Sequence, residues 1–77
     1  MHMQVGVIGL GNVGSAIANL IATNGYPVLG WEYNAEVVHE VNTSHGNSRF
    51  LAGIDLSHNL KATSNLEEVL QGSEVVF

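Results

Sequence analysis

The chain contains no cysteine, so neither a disulfide framework nor a thiolate metal site can hold its 77 residues together. Basic residues are almost as scarce. Arg49 and Lys61 stand against seven acids, for a formal net charge of -5. That balance leaves no cationic stripe to neutralise a phosphate backbone, which excludes nucleic acid as an expected partner. Charge is missing altogether from Met3 to Trp31, a length that could in principle cross a hydrocarbon core of about 30 Å. The content of the run argues against a span: Asn12, Ser15, Asn19, Asn24, Pro27 and several glycines would break a lipid-exposed helix and leave polar groups unsatisfied. No Lys or Arg precedes the apolar region, so a secretory leader is not expected either. A domain of this size buries only about 60 % of its unfolded-chain surface. Its stability should therefore be marginal and should rise when a ligand or partner binds.

What is present is an alternation of short β-branched runs and amphipathic segments. Val5, Val7 and Ile8 predict a buried strand ending at Gly9. Val13, Ala16, Ile17, Leu20 and Ile21 then follow the spacing of one apolar helical face, stopped by Asn24-Gly25. Val28, Leu29 and Trp31 predict a second strand entered through the single proline, Pro27. Asn34 can cap a second helix, with Glu36 in its first turn, Val37, Val38 and Val41 facing inward, and an end near "NTSHG". Residues 45 to 59 have no sustained period and predict a long loop, anchored on the body through Phe50, Leu51, Ile54 and Leu56. Leu60 to Thr63 predict a third strand. "SNLEEVLQG" predicts a third helix in which Ser64 and Glu67 have capping-box spacing and Gly72 closes the last turn. "EVVF" opens a fourth strand. The order β-α-β-α-β-α-β requires parallel pairing with right-handed crossovers, hence an α/β, doubly wound sheet.

The chemistry concentrates in "VIGLGNVGSAIANLIATNGYPVLGWE". Gly9, Gly11 and Gly14 form G-x-G-x-x-G between a predicted strand and a predicted helix. In that setting Gly9 permits the tight turn, Gly11 lets a pyrophosphate approach the backbone, and Gly14 allows helix and strand to pack closely. Amides from Asn12, Val13 and Gly14 open the helix and offer an anion about half a positive charge without any Lys or Arg. An acidic chain can thus hold a dianionic cofactor. Glu32 lies 18 residues beyond Gly14, close to the spacing of about 20 expected for a carboxylate that accepts from both ribose hydroxyls. It favours NAD, because the 2′-phosphate of NADP would meet its charge with no neighbouring cation. Tyr33 can either cover the adenine or stand as an ordinary surface aromatic. His2, His39, His45 and His58 show no metal-ligand spacing, and Ser15, Ser44 and Ser57 no nucleophile motif, so no metal-ligating or catalytic residue is assigned.

With these residues placed, "VGVIGLGNVGSAIANLIATNGYPVLGW" resembles the first β-α-β unit of NAD(P)-dependent dehydrogenases. "NSRFLAGIDLSHNLKATSNLEEVLQGSEVVF" resembles the corresponding region of NAD(P)-dependent glycerol-3-phosphate dehydrogenases. Those enzymes commonly read Ser-Trp-Gly where this chain has Asn12-Val13-Gly14, and Arg-Asp where it has Tyr33-Asn34. Ala52 and Ser57 replace prolines of their long loop. The glycine turn is closer to hydroxyacid dehydrogenases of the 3-hydroxyisobutyrate or 6-phosphogluconate type, which stand as the alternative family, with a free-standing dinucleotide-binding module as a further alternative. The resemblance implies a partial Rossmann fold over residues 1–77. It also implies a cytoplasmic parent enzyme interconverting glycerol 3-phosphate and dihydroxyacetone phosphate, with catalytic and substrate-phosphate groups in later segments. Lys61 matches a strand position, not a catalytic one. Val75, Val76 and Phe77 would leave an apolar edge through which the segment could self-associate.

Overall fold

The structure is a computed structural model and describes residues 3–77. Seven elements follow in the expected order: β1 (Val5–Ile8), α1 (Asn12–Thr23), β2 (Val28–Trp31), α2 (Ala35–Ser44), β3 (Leu60–Thr63), α3 (Leu66–Gly72) and β4 (Val75–Val76). All strands are parallel and lie in the order β3-β2-β1-β4. The chain steps outward from β1 to β3 and then returns past its start to place β4. With right-handed crossovers, that reversal puts the third helix on the opposite face from the first two.

Register makes the two faces explicit. Val5 pairs with Val28 and Val28 with Leu60; two residues on, Val7 pairs with Gly30 and Gly30 with Ala62. These residues look toward α1 and α2, and all except Gly30 belong to one buried apolar cluster with Leu10, Ala18, Ala22, Val37, Val41 and Leu56. On the other face α3 lies directly on β1: a Cβ added to Gly6 would come within 2.7 Å of Val69 Cγ1 and of Ser73 Oγ. Val69 is fully buried there.

The caps show why the helices begin and end where they do. Asn34 stands in extended conformation and its side-chain oxygen accepts from the amides of Glu36 and Val37, so α2 starts as expected, with Glu36 well placed against the helix dipole. α1 ends at Thr23 with Asn24 as its cap, and Gly25 takes the left-handed conformation (φ 96°) that follows a helix terminus most easily as glycine. At α3 the expected cap moves by one residue. Asn65, not Ser64, accepts from the Glu67 amide. The Thr63 hydroxyl accepts from the Asn65 amide and donates to the Glu68 carboxylate, so the end of β3 supplies the contact that a capping box would have made.

The inward face of α1 also differs from the periodic reading. Ser15, Ala18 and Ala22 are buried, whereas Val13 is 72 % and Leu20 65 % exposed. The reason is spacing: α1 comes so close to the sheet at its first turn that only small side chains fit beneath it, so Val13, Ile17 and Leu20 are turned outward, while Ile21 packs against the core as expected. In the loop, Leu56 is buried and Phe50 and Leu51 pack against the core as expected, but Ile54 is half exposed. The outer edge of β3 is covered from α2. Asn42 Nδ2 donates to the Ala62 carbonyl, and the Ala62 amide donates to Asn42 Oδ1, so one side chain satisfies both backbone groups of Ala62 on that edge. β4 joins β1 through the Phe77 amide donating to the Gly6 carbonyl and the Ile8 amide donating to the Phe77 carbonyl. Val75, Val76 and Phe77 remain exposed. No helix among the described residues is long and apolar enough to cross a membrane.

Candidate functional site

The glycine turn sits at the carboxyl end of β1, where the sheet order reverses between β1 and β4. That is the crevice in which open parallel sheets bind ligands. The three glycines meet different demands. Gly9 has φ 96°, a left-handed conformation that a Cβ disfavours. Gly14 is closed in by its surroundings: a Cβ there would lie 1.8 Å from the Gly9 carbonyl oxygen, so helix and strand touch backbone to backbone. Gly11 is the opposite case. Its φ of -80° suits any residue, and a Cβ would meet nothing in the chain within 4 Å. Neither strain nor internal packing requires glycine at this position. The space its missing side chain leaves opens outward, onto the start of α1.

At that start the backbone is polar and free. Gly11 caps α1 without a side-chain hydrogen bond, and no acidic side chain occupies the first turn. Ser15 is the first residue whose amide donates back, to the Gly11 carbonyl. Among the described residues, the amides of Gly11, Asn12, Val13 and Gly14 donate to no acceptor in the chain. Four donors stand beside an open Cβ position at the positive end of a 12-residue helix, an arrangement of backbone alone that can accommodate an anion.

Leu10, between the first two glycines, is held on every side. Its amide donates to Glu32 Oε1 at 3.0 Å. Its carbonyl accepts from the Ser15 hydroxyl and from Asn47 Nδ2, both at 2.9 Å. Its side chain is fully buried against Gly30, where an added Cβ would come within 2.6 Å of Leu10 Cδ2.

Glu32 is only 5 % exposed. One carboxylate oxygen takes the Leu10 amide and the other the Asn34 amide at 3.0 Å, so this acid ties the glycine turn to the start of α2. Each oxygen keeps a further lone pair with which to accept from a hydroxyl. Tyr33, next along, is 79 % exposed, its ring centroid 6.4 Å from that of Trp31. The Trp31 indole is itself fixed, donating to the Ser64 carbonyl. Gly9, Gly11, Asn12, Val13, Gly14, Glu32 and Tyr33 thus lie along the carboxyl ends of β1 and β2. Two surface grooves lie elsewhere. One of about 250 Å³ is lined by Met3, Val5, Tyr26 and Val75 near the amino ends of the strands, and one of about 340 Å³ lies between α1 and the loop at Leu51 and Ile54.

Two side chains at the turn escaped the reading of the sequence. Ser15 carries no nucleophile motif and Asn47 no motif at all, yet both are 1 % exposed and joined to each other, Asn47 Nδ2 donating to Ser15 Oγ at 2.8 Å. Asn47 lies in the aperiodic loop and reaches a carbonyl 37 residues back in the chain, a distance over which no local pattern operates. The stacked rings of His45 and His58, 3.7 Å apart, were equally invisible. No group of three or more metal-ligating side chains occurs among the described residues; His2 lies outside them.

Comparison with known proteins decides the family. Residues 4–77 match the model of the NAD-dependent glycerol-3-phosphate dehydrogenase N-terminus. The chain belongs to this family. A curated relative from Staphylococcus carnosus, a glycerol-3-phosphate dehydrogenase [NAD(P)+], is 45 % identical over 71 residues, covering 92 % of this chain and 21 % of the relative. The solved glycerol-3-phosphate dehydrogenase of Coxiella burnetii superposes with a TM-score of 0.87 at 28 % identity, over 97 % of this chain and 23 % of that one. That of Saccharomyces cerevisiae does so with a TM-score of 0.86 at 31 % identity, over 99 % and 25 %. The chain therefore spans about a fifth to a quarter of the length of these proteins. Glycerol-3-phosphate dehydrogenases, rather than the 3-hydroxyisobutyrate or 6-phosphogluconate type suggested by the glycine turn, are the family that these matches favour.

Proposed function

We propose that this chain is the adenosine-binding part of the NAD site of a glycerol-3-phosphate dehydrogenase. The observation that carries the proposal is the turn at Gly11: an open Cβ position beside four amides that, among the described residues, find no acceptor at the start of α1. Gly9, Gly11, Asn12, Val13 and Gly14 would surround the pyrophosphate. Glu32 would accept from the ribose hydroxyls through the lone pairs its backbone contacts leave free, and Tyr33 would cover the adenine. The residues fit the dinucleotide without a cationic side chain, because the charge complement comes from the helix end.

Held there, NAD would supply hydride chemistry at its nicotinamide ring for the interconversion of glycerol 3-phosphate and dihydroxyacetone phosphate in the parent enzyme. This chain's part is to bind and orient the far end of the cofactor. Groups that act on the phosphorylated substrate belong to the remainder of the parent enzyme, for which a cytoplasmic setting is proposed. NAD is preferred over NADP, since Glu32 would stand against a 2′-phosphate with no cation beside it. The exposed β4 edge is proposed to self-associate when nothing else pairs with it.

Titration of the chain with NAD and then NADP, followed by Trp31 fluorescence and by calorimetry, tests the proposal. Saturable binding that prefers NAD is expected. A chain that folds and binds neither dinucleotide would overturn it.

A further inference from the structure

Asn47 is a costly residue to bury as it stands. Its side chain is 1 % exposed, and its Oδ1 is enclosed with no hydrogen-bond partner. Nearly every buried polar atom in a folded protein is paired, so an unpaired one marks a place where some other interaction of the same group prevails. Here that interaction belongs to Nδ2, which donates to the Leu10 carbonyl at 2.9 Å and to Ser15 Oγ at 2.8 Å. Turning the amide over would not help, because it would set Oδ1 against the Leu10 carbonyl, which can only accept.

The loop is built to hold this side chain in place. The Asn47 carbonyl accepts from the amides of Phe50 and Leu51, closing a turn whose Phe50 and Leu51 side chains pack on the core. The following residue, Ser48, is fastened to α2 by its amide and hydroxyl, which both donate to the Glu40 carboxylate.

What Asn47 acts on is a peptide plane. The Leu10 carbonyl and the Gly11 amide belong to one planar, trans unit and point in opposite directions. Holding the carbonyl inward, on Ser15 and Asn47, turns the Gly11 N–H outward, to the side where the missing Cβ leaves space. We propose that Asn47 is a positioning residue for the dinucleotide turn: from a loop 37 residues away in the chain, it orients the Gly11 amide toward the cofactor phosphate. The inference rests on the reading of the turn as a dinucleotide site. It adds a residue that touches no cofactor and sets the direction of a donor that does.

The test compares Asn47→Ala with Val69→Ala, a core truncation on the opposite face of the sheet. Each variant is measured for thermal stability, for the Gly11 amide by nitrogen-proton NMR without ligand, and for NAD affinity by calorimetry. Both variants should melt earlier. Only Asn47→Ala should shift the Gly11 amide resonance, and only it should weaken NAD by about tenfold or more. If the two variants leave the Gly11 amide and NAD affinity equally unchanged, Asn47 is merely part of the core and the proposal is overturned. Should Asn47→Ala fail to fold, Ser15→Ala removes one of the two donors to the same carbonyl and should give a smaller shift in the same direction; no shift would overturn the proposal. If the unmodified chain binds no NAD, the cofactor reading fails by itself, while the ligand-free Gly11 spectrum still decides whether Asn47 orients the turn.

Discussion

Replacing Gly11 and Gly14 in turn by alanine separates a glycine kept for a ligand from one kept for the fold. At Gly11 the new methyl group meets no atom within 4 Å, and φ is -80°. Alanine is a poorer helix cap than glycine, by roughly 0.5–1 kcal/mol. It also restricts the unfolded chain, which stabilises by about 0.4–1 kcal/mol. The two effects nearly cancel, so Gly11→Ala should melt within about 5 °C of the unmodified chain, using roughly 4–8 °C per kcal/mol for a domain of this size. At Gly14 the methyl carbon would lie 1.8 Å from the Gly9 oxygen. Both partners belong to the backbone, so relief requires α1 to move away from β1. Overpacking typically costs about 1–3 kcal/mol, and a backbone collision this deep belongs at or above the top of that range. A chain of this length is stable by only about 4–12 kcal/mol in total. Gly14→Ala should therefore lower Tm by more than about 10 °C or prevent folding. Differential scanning calorimetry supplies the melting temperatures and isothermal titration with NAD the affinities. Gly11→Ala should fold normally and lose NAD affinity by at least about tenfold, because its methyl group fills the approach to the amides. A Gly11→Ala chain that binds NAD as tightly as the unmodified one would refute the reasoning, since the open Cβ position would then have no ligand to serve.

Three further outcomes are expected. Glu32→Gln keeps the shape but places an NH₂ group against either the Leu10 or the Asn34 amide; it should cost about 1–3 kcal/mol in urea unfolding and narrow the preference for NAD over NADP, and an unchanged ratio of the two dissociation constants would remove Glu32 from cofactor discrimination. Gly30→Ala drives a Cβ to 2.6 Å, 2.8 Å and 2.9 Å from three atoms of the fully buried Leu10 side chain; stability should fall by about 1–3 kcal/mol, with NAD affinity falling alongside because Leu10 is the centre of the turn. Asn42→Ala uncovers the Ala62 amide and carbonyl at the outer edge of β3, so sedimentation velocity should show more self-association than in the unmodified chain, and an unaltered monomer fraction would show that this edge needs no cover.

Much of this architecture could be read from local pattern. Each of the four strands begins and ends within a residue or two of its expected bounds, because short β-branched runs between turn residues have few alternatives. Asn34 was legible as a cap because capping acts over only two or three residues. The cap of α3 was misplaced by one residue, since Ser64 and Asn65 are both competent and the Thr63 hydroxyl at the end of β3 favours the second. Of the inward face of α1 only Ile21 could be read from hydrophobicity, because the distance between helix and sheet, set at Gly14, selects Ser15, Ala18 and Ala22 over other larger neighbours.

The sequence by itself determined the alternation of strands and helices, the position of the glycine turn and the acid that follows the second strand, since all of these depend on residues within about 20 positions of one another. Only the tertiary structure decided that Gly11 is open while Gly14 is closed, and that Glu32, expected on a ribose, also accepts from the Leu10 amide of the turn. It alone brought Asn47 across 37 residues to the Leu10 carbonyl. Contacts of that kind depend on where the packed sheet and helices bring distant segments together, and no periodicity along the chain records them.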